Sequence, residues 1–264
     1  MAEEAAVPNN EGLSQIKTVS ELGQHIIKTL GPDHYVTKVL EALLPHLPKD
    51  GPVRVLDKAA YDAAYKEVGG KSSTKAFWET DAGIVMERGK GDNLLTAAHE
   101  ITHAVFHDKI EAIKVLPKDH PEYAKLTKLV DDVTRLMDDV RSKIEVTPEN
   151  KALFDYALKD PHEFIGEGLF RPRVTAELLK IEGKAPGFLS KLVKSIGDFF
   201  GFKDPKQYTA LHELVRTTER LAKARLETTP PKATGPKGMY SGEAAAREEP
   251  RFQKGLETAT EMEK

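Results

Sequence analysis

The chain has 264 residues, of which 39% are hydrophobic and 31% charged, so it is long enough and apolar enough to bury a substantial core. The formal net charge of −3 gives no reason to expect nucleic-acid binding. The sequence contains no cysteine, which excludes disulfide bonds and thiolate zinc sites, so any zinc ligand has to be His, Asp or Glu.

The N-terminal part predicts a lead-in followed by helices. Residues 1–18 are acidic and contain no apolar h-region, so we interpret them as a flexible lead-in and expect no secretory signal. Apolar spacing predicts two helices within 19–46, the first of them capped by Thr18 or Ser20.

A small β unit is predicted between residues 53 and 88. A strand at 53–57 and a helix at 58–68 come first. Two β-rich runs at 75–80 and 83–88 follow, and the "DAG" turn between them predicts a hairpin. The sheet is expected to be confined to this stretch.

The rest of the chain is predicted to be helical up to about residue 226. Asp92 or Asn93 is expected to cap a helix at 93–107, on which the sheet packs. Later helices are predicted at 121–144, 148–158, 161–170, 172–182, 187–200 and 205–226. Residues 227–264 are rich in proline, glycine and charge, so they predict a disordered or partner-ordered tail.

These patterns predict an α+β protein that is mostly helical. One domain is expected to span 19–226, with the β unit near its middle and an all-helical part at 121–226. No run of 18 apolar residues occurs, so no membrane span is expected.

The stretch "TAAHEITHAVF" at 96–106 places His99, Glu100 and His103 in one predicted helix. A spacing of four puts both imidazoles on one helix face, where they can hold a tetrahedral ion. Glu100 lies beside them and can accept a proton from a water molecule, as in the HExxH motif of zinc peptidases. The alternative is an ordinary amphipathic helix that carries two histidines. His107 is expected to face solvent or to lie behind the ligands.

A catalytic zinc site also needs a third protein ligand. The compact HExxHxxGxxH form is excluded, because Phe106 and Lys109 stand at its glycine and histidine positions. Glu163 and Glu167 share one face of the mostly apolar helix 161–170, so one can bind the metal while the other supports a ligating histidine. The alternative is a pair of solvated glutamates.

HExxH followed by "Y…EFxxExxF" resembles gluzincin metallopeptidases of the anthrax lethal factor type. It also resembles the metallopeptidase-like segments of bacteriophage polyvalent and virion-associated proteins. In the lethal factor pattern a tyrosine precedes the ligand glutamate by seven residues and an acidic residue follows it by four, as Tyr156 and Glu167 do around Glu163. Gly166 and Gly168 stand where the family more often has alanine, and they are expected to loosen the helix.

The resemblance implies a zincin-like fold over about 53–225 and roles for six residues. These roles are Zn²⁺ binding by His99, His103 and Glu163, general-base catalysis by Glu100, oxyanion stabilisation by Tyr156, and support of a ligand from behind by Glu167.

The expected activity is that of a zinc-dependent peptidase acting on peptides or proteins. The resemblance implies a phage-associated protein that works in the host cytoplasm or is packaged in the virion, with other virion proteins as partners of the N-terminal helices or the tail. Strand 83–88 is expected to offer its edge to an extended substrate, and His120 and His162 are minor candidates for substrate contact. The alternatives are a structural or packaged virion protein with a non-catalytic zinc site and, third, an injected effector or toxin protease.

Overall fold

The structure, a computed structural model, describes residues 12–48, 50–68, 75–79, 82–182 and 209–224, together with the backbone of 240–241. Within these ranges the protein is mostly helical and contains one small sheet, which confirms the predicted α+β class. No helix in the described part of the chain is long and apolar enough to cross a membrane. The helix predicted at 187–200 lies outside the described residues.

The N-terminal region forms helices α1, Val19–Leu30, and α2, Tyr35–Leu43. Of the two predicted caps, Thr18 is the one used. Its hydroxyl accepts the Glu21 N–H and its own N–H donates to the Glu21 carboxylate, both at 3.2 Å. Within the predicted flexible lead-in of 1–18, the 3₁₀ turn Leu13–Gln15 packs into the core through a fully buried Leu13, so this part of the prediction is wrong.

The sheet contains β1, Val53–Leu56, then β2, Ala76–Glu79, and β3, Gly83–Glu87, with helix α3, Lys58–Glu67, after β1. A short fourth strand, β4, is formed by Tyr240–Ser241. The strand order is β1-β3-β2-β4, in which β1 runs parallel to β3 and the other neighbours are antiparallel.

Two predictions about the sheet are wrong. It is not confined to 53–88, since two residues of the predicted tail at 227–264 form β4. Strand 83–88 does not offer an edge to substrate either, because β1 pairs with its second side, with Val53 opposite Ile84. Hydrophobic alternation identifies a strand but does not reveal its neighbours, so the central position of β3 was not visible in the sequence.

The long helix α4, Leu94–Val115, lies at the centre of the fold. Asn93 caps it by accepting the Thr96 N–H at 2.8 Å. The helix continues well past its predicted end at residue 107, because Ile110 and Ala112 keep burying their side chains in the core.

The two faces of the sheet contact different helices. On one face Phe77 packs with Tyr61 and Tyr65 of α3 in a small aromatic cluster. On the other face Trp78 and Ile84 belong to the main core, which α4 shares.

The C-terminal half agrees with the helical prediction in the residues that are described. Its helices are α5, Tyr123–Lys143; α6, Lys151–Ala157; α7, Pro161–Phe170; α8, Pro172–Lys180; and α9, Ala210–Ala222. Helix α7 packs against α4, α5, α6, α8 and α9, and its residues from 162 to 170 are all buried. A helix enclosed in this way can direct polar groups only towards the protein interior.

Candidate metal centre

His99, Glu100 and His103 lie on the buried part of α4 and are respectively 2%, 0% and 1% exposed. The Nε2 atoms of the two histidines are 2.9 Å apart, and their ring centroids are 4.7 Å apart in an edge-on arrangement. The spacing of four residues therefore brings both imidazoles to one point, and Glu100 offers a carboxylate oxygen to the same group.

Helix α7 brings two glutamates to the ring of His99. Glu163 Oε2 lies 3.3 Å from His99 Nε2, and Glu167 Oε1 lies 3.2 Å from His99 Nδ1. The helix begins at the right place because the Asp160 carboxylate accepts the Glu163 N–H at 3.0 Å and Pro161 occupies the first turn. The two carboxylates thus contact opposite nitrogens of one ring, as expected for a ligand and a supporting group.

Gly166 permits this close approach of α7 to α4. A Cβ atom at this position would lie 2.6 Å from His99 Cε1 and 3.0 Å from Thr102 Oγ1. Gly166 therefore also has a packing role, which the expectation of a loosened helix did not include. Its missing side chain leaves the space into which the His99 ring fits.

The centre buries more negative than positive side chains. Glu100, Glu163 and Glu167 are each at most 1% exposed, while Arg171 contributes a guanidinium whose Nη1 lies 3.7 Å from Glu167 Oε2. Neither oxygen of Glu163 accepts a well-directed hydrogen bond from the described residues. Buried carboxylates are costly unless hydrogen bonds or a cation compensate their charge.

The same surroundings shift the pKa values of the two histidines in opposite directions. Burial alone would lower the pKa of His99, but Glu163 and Glu167 outweigh it and raise that pKa well above the usual range. Burial, together with repulsion from His99, lowers the pKa of His103 well below its usual range. The carboxylates of Glu163 and Glu167 thus favour the protonated form of the His99 imidazole.

The donor set fits zinc. It consists of imidazole nitrogens and carboxylate oxygens, which are usual zinc ligands. On a tetrahedral ion with bonds of about 2.0–2.1 Å, ligand atoms are roughly 3.3 Å apart. The distance of 3.3 Å from His99 Nε2 to Glu163 Oε2 matches this, and the 2.9 Å between the two Nε2 atoms is slightly short. Two groups of potential ligands overlap at His99, one with Glu100 and His103 and the other with Glu163 and Glu167.

Tyr156, the expected oxyanion donor, lies in α6, which packs against α7. The residue is half-buried, its hydroxyl oxygen is buried, and the Lys159 ammonium lies 5.9 Å from its ring centroid. The structure thus places Tyr156 on a helix that neighbours the one carrying Glu163.

A second contact between α4 and α7 was missed by the sequence analysis. His162 Nε2 lies 3.1 Å from Glu111 Oε1, and the His162 ring is 5.4 Å from that of His107. Partial burial opposes ionisation of Glu111, but hydrogen bonds from His162 and Lys114 lower its pKa to about 2. His162, a minor candidate for substrate contact, is 4% exposed and contacts Glu111 within the protein. The contact of Glu111 with His162 was not predicted, because the helix was expected to end at residue 107.

Comparisons of the chain with protein-family models, with curated proteins and with solved structures find no match. The chemistry of this centre is therefore inferred from its own residues and their geometry.

Proposed function

We propose that the protein is a zinc-dependent peptidase of the gluzincin type with a zincin-like domain. One observation carries the proposal. Buried Glu163 and Glu167, on a helix distant in sequence, contact the two nitrogens of the HExxH residue His99. This pairing of a candidate ligand with a carboxylate behind the ring is the arrangement that tunes and orients metal-binding histidines.

In this proposal His99, His103 and Glu163 hold Zn²⁺, and Glu167 fixes the ring orientation of His99. Zinc, when bound, supplies a Lewis acid that makes water more acidic and polarises a carbonyl group. Glu167 contacts His99 Nδ1, while His99 Nε2 lies 2.9 Å from His103 Nε2 and 3.3 Å from Glu163 Oε2, which supports Nε2 as the atom that binds the ion.

Glu100 and Tyr156 are proposed to perform the chemical steps. The Glu100 carboxylate accepts a proton from the attacking water and then delivers it to the leaving amine of the peptide. The Tyr156 hydroxyl donates a hydrogen bond to the oxyanion that forms on the scissile carbonyl, an interaction worth about 3–4 kcal/mol where such donors have been removed. The substrate is a peptide or protein, and the setting is a phage-infected cell or a virion.

Metal analysis and peptidase assays on matched variants test the proposal. Wild-type protein should carry about one zinc and cleave denatured casein until a chelator is added. Glu163→Ala should lose both zinc and cleavage. Glu100→Gln should lose cleavage while it retains zinc, because it removes the proton acceptor. Glu145→Ala, a change of an exposed glutamate, is the control and should behave as wild type. Unchanged cleavage by Glu100→Gln would rule out this mechanism.

A second candidate is a structural or packaged protein whose zinc only stabilises the fold. The burial of the centre favours it, since Glu100 is fully buried and a peptide carbonyl has to reach that residue for hydrolysis. In that case the purified protein contains zinc and is destabilised by chelation, but it cleaves neither casein nor virion proteins.

A further inference from the structure

The candidate metal centre is enclosed by protein, so an ion has to cross part of the molecule to reach it. The proposed ligands His99, His103 and Glu163 are at most 2% exposed. Moving a bare charge through apolar packing is very costly. In the folded protein, a cation that travels to this centre therefore needs polar side chains that replace its water along the way.

Potential metal ligands continue along α4 beyond the HExxH motif. Four of them follow one another at intervals of four residues, namely His99, His103, His107 and Glu111. This interval places them on one face of the helix, each about 6 Å further along its axis than the one before. His162 of α7 lies beside this row, because its ring centroid is 6.3 Å from that of His103 and 5.4 Å from that of His107.

Exposure to solvent increases along the row, away from the centre. His103 is 1% and His162 is 4% exposed, whereas His107 is half-buried. At the outer end, the side chain of Glu111 is 25% exposed, and its Oε1 lies 3.1 Å from His162 Nε2. The row thus begins near the surface with a carboxylate, which attracts cations, and leads through imidazoles to the buried centre.

We propose that His107, His162 and Glu111 form a relay site that takes Zn²⁺ from solvent and passes it to the centre at His99. The inference rests on the zinc binding in the proposed function but not on peptide cleavage. Imidazole nitrogens and carboxylate oxygens are usual zinc ligands, so each of these groups can replace a water molecule that the ion loses as it moves inwards.

The charges around the two sites favour movement towards the centre. At the relay site, Glu111 Oε1 also lies 2.7 Å from the Lys114 ammonium, which competes with a cation for this oxygen. At the centre, Glu163 and Glu167 place two buried carboxylates around His99, where solvent screens their attraction less. The relay site therefore binds the ion only in passing, so its loss should slow uptake and release equally.

The rate of zinc uptake by the folded, metal-free, full-length chain tests the proposal. Stopped-flow mixing with zinc chloride and a fluorescent zinc indicator measures it. Glu111→Gln removes the outer carboxylate and His107→Gln the next imidazole, so each should slow uptake at least about fivefold. Lys114→Gln removes the competing ammonium and should speed uptake by about twofold or more. The equilibrium affinity of all three variants should stay within about twofold of wild type, since both rates change together.

Two matched variants control for the loss of a carboxylate and of an imidazole. Glu145→Gln changes an exposed glutamate, and His46→Gln changes a half-buried histidine of the 3₁₀ turn Leu44–His46. Both residues lie outside α4 and α7, so both variants should take up zinc at the wild-type rate. Circular dichroism checks that each variant is folded. Glu111→Gln alters a partly exposed side chain, so it decides the question if His107→Gln does not fold.

Uptake at the wild-type rate in Glu111→Gln overturns the proposal, because the ion then reaches the centre by another route. A second zinc that stays bound to wild type and is lost in Glu111→Gln also overturns it, since the site would then be permanent. Slower uptake in the relay variants supports the proposal even if casein is not cleaved. Failure of the peptidase function is thereby distinguishable from failure of this inference.

Discussion

Two histidine–glutamate contacts join α4 to α7, and they differ in how their charges are balanced. In the first, the partly exposed Glu111 meets both His162, at 3.1 Å, and the ammonium of Lys114, at 2.7 Å. In the second contact, which is fully buried, the His99 ring lies between the carboxylates of Glu163 and Glu167. The first contact has one carboxylate and two potential cations, whereas the second has two carboxylates and one imidazole.

This difference indicates which of the two contacts an ion would stabilise more. Solvent and Lys114 stabilise the charge of Glu111, so that pair is complete without a ligand. The carboxylates of Glu163 and Glu167 at His99 are removed from solvent, and the Arg171 guanidinium lies 3.7 Å from Glu167 Oε2. The Zn²⁺ that we propose for this centre would compensate that negative charge, and the following four predictions test this contrast between the two contacts.

Removal of zinc is expected to have the largest effect. A ligand present at a thousand times its Kd stabilises the folded state by about 4 kcal/mol, so chelation should lower the free energy of unfolding by that order. Urea titrations with and without chelator measure it, and added zinc should reverse it. On chelation, the Glu111→Gln variant should lose as much stability as wild type, because the contact between Glu111 and His162 is not part of the proposed metal site. Equal stability with and without zinc would contradict a metal centre at His99.

The change Glu167→Gln is expected to weaken zinc binding by about 10–100-fold, the usual effect of removing a carboxylate behind a ligating histidine. The amide keeps the shape of the side chain but loses the charge that acts on His99 Nδ1. Competition with a chromophoric chelator measures the affinity. The matched change at the other contact, Glu111→Gln, should leave the affinity within about twofold of wild type, since it is not bonded to a ligand.

Gly166→Ala and Gly168→Ala separate packing from metal binding. A Cβ atom added at Gly166 would contact the His99 ring, and one added at Gly168 would lie 2.5 Å from Leu214 Cδ2. Both changes should destabilise the fold by about 1–3 kcal/mol, as overpacking does. Only Gly166→Ala should also reduce zinc affinity, because it displaces the His99 ring. Equal zinc affinities in the two variants would show that the space at Gly166 does not position the ligand.

The smallest effect is expected for Glu111→Gln on stability, about 1 kcal/mol or less at neutral pH. The pKa of Glu111 is lowered from 4.5 to about 2, so its contribution is present above the ordinary value and is lost as the pH falls through the lowered one. The stability difference from wild type should therefore shrink between about pH 4.5 and pH 2. Thermal melts across this range measure it, and a difference that grows at low pH would contradict the assigned contact.

Local patterns in the sequence predicted the parts of the centre that depend on helical spacing. The interval of four residues brings His99 to His103, and the same interval places Glu163 and Glu167 on one face of α7. The cap at Asp160 and the proline after it predicted where α7 begins, and the structure agrees.

The parts that escaped prediction depend on contacts between distant segments. Gly166 looks like a weak helix former in isolation, and only the His99 ring opposite it explains why a side chain is excluded. Glu111 meets His162 across two helices, and β4 joins the sheet from the far end of the chain. Periodicity carries no information about such partners, which are chosen by the packing of the whole domain.

Because α5 and α6 separate α4 from α7 in the chain, the proposed ligands His99 and His103 are translated before the proposed ligand Glu163. On the ribosome α4 emerges with two histidines and an exposed apolar surface, and Glu163 follows only after two further helices have been translated. A metal ion that reaches the nascent chain before Glu163 is translated contacts only the two histidines, so it binds weakly. Under the proposed function, complete binding of zinc therefore has to await the docking of α7, so the order of translation sets the order in which the ligands become available.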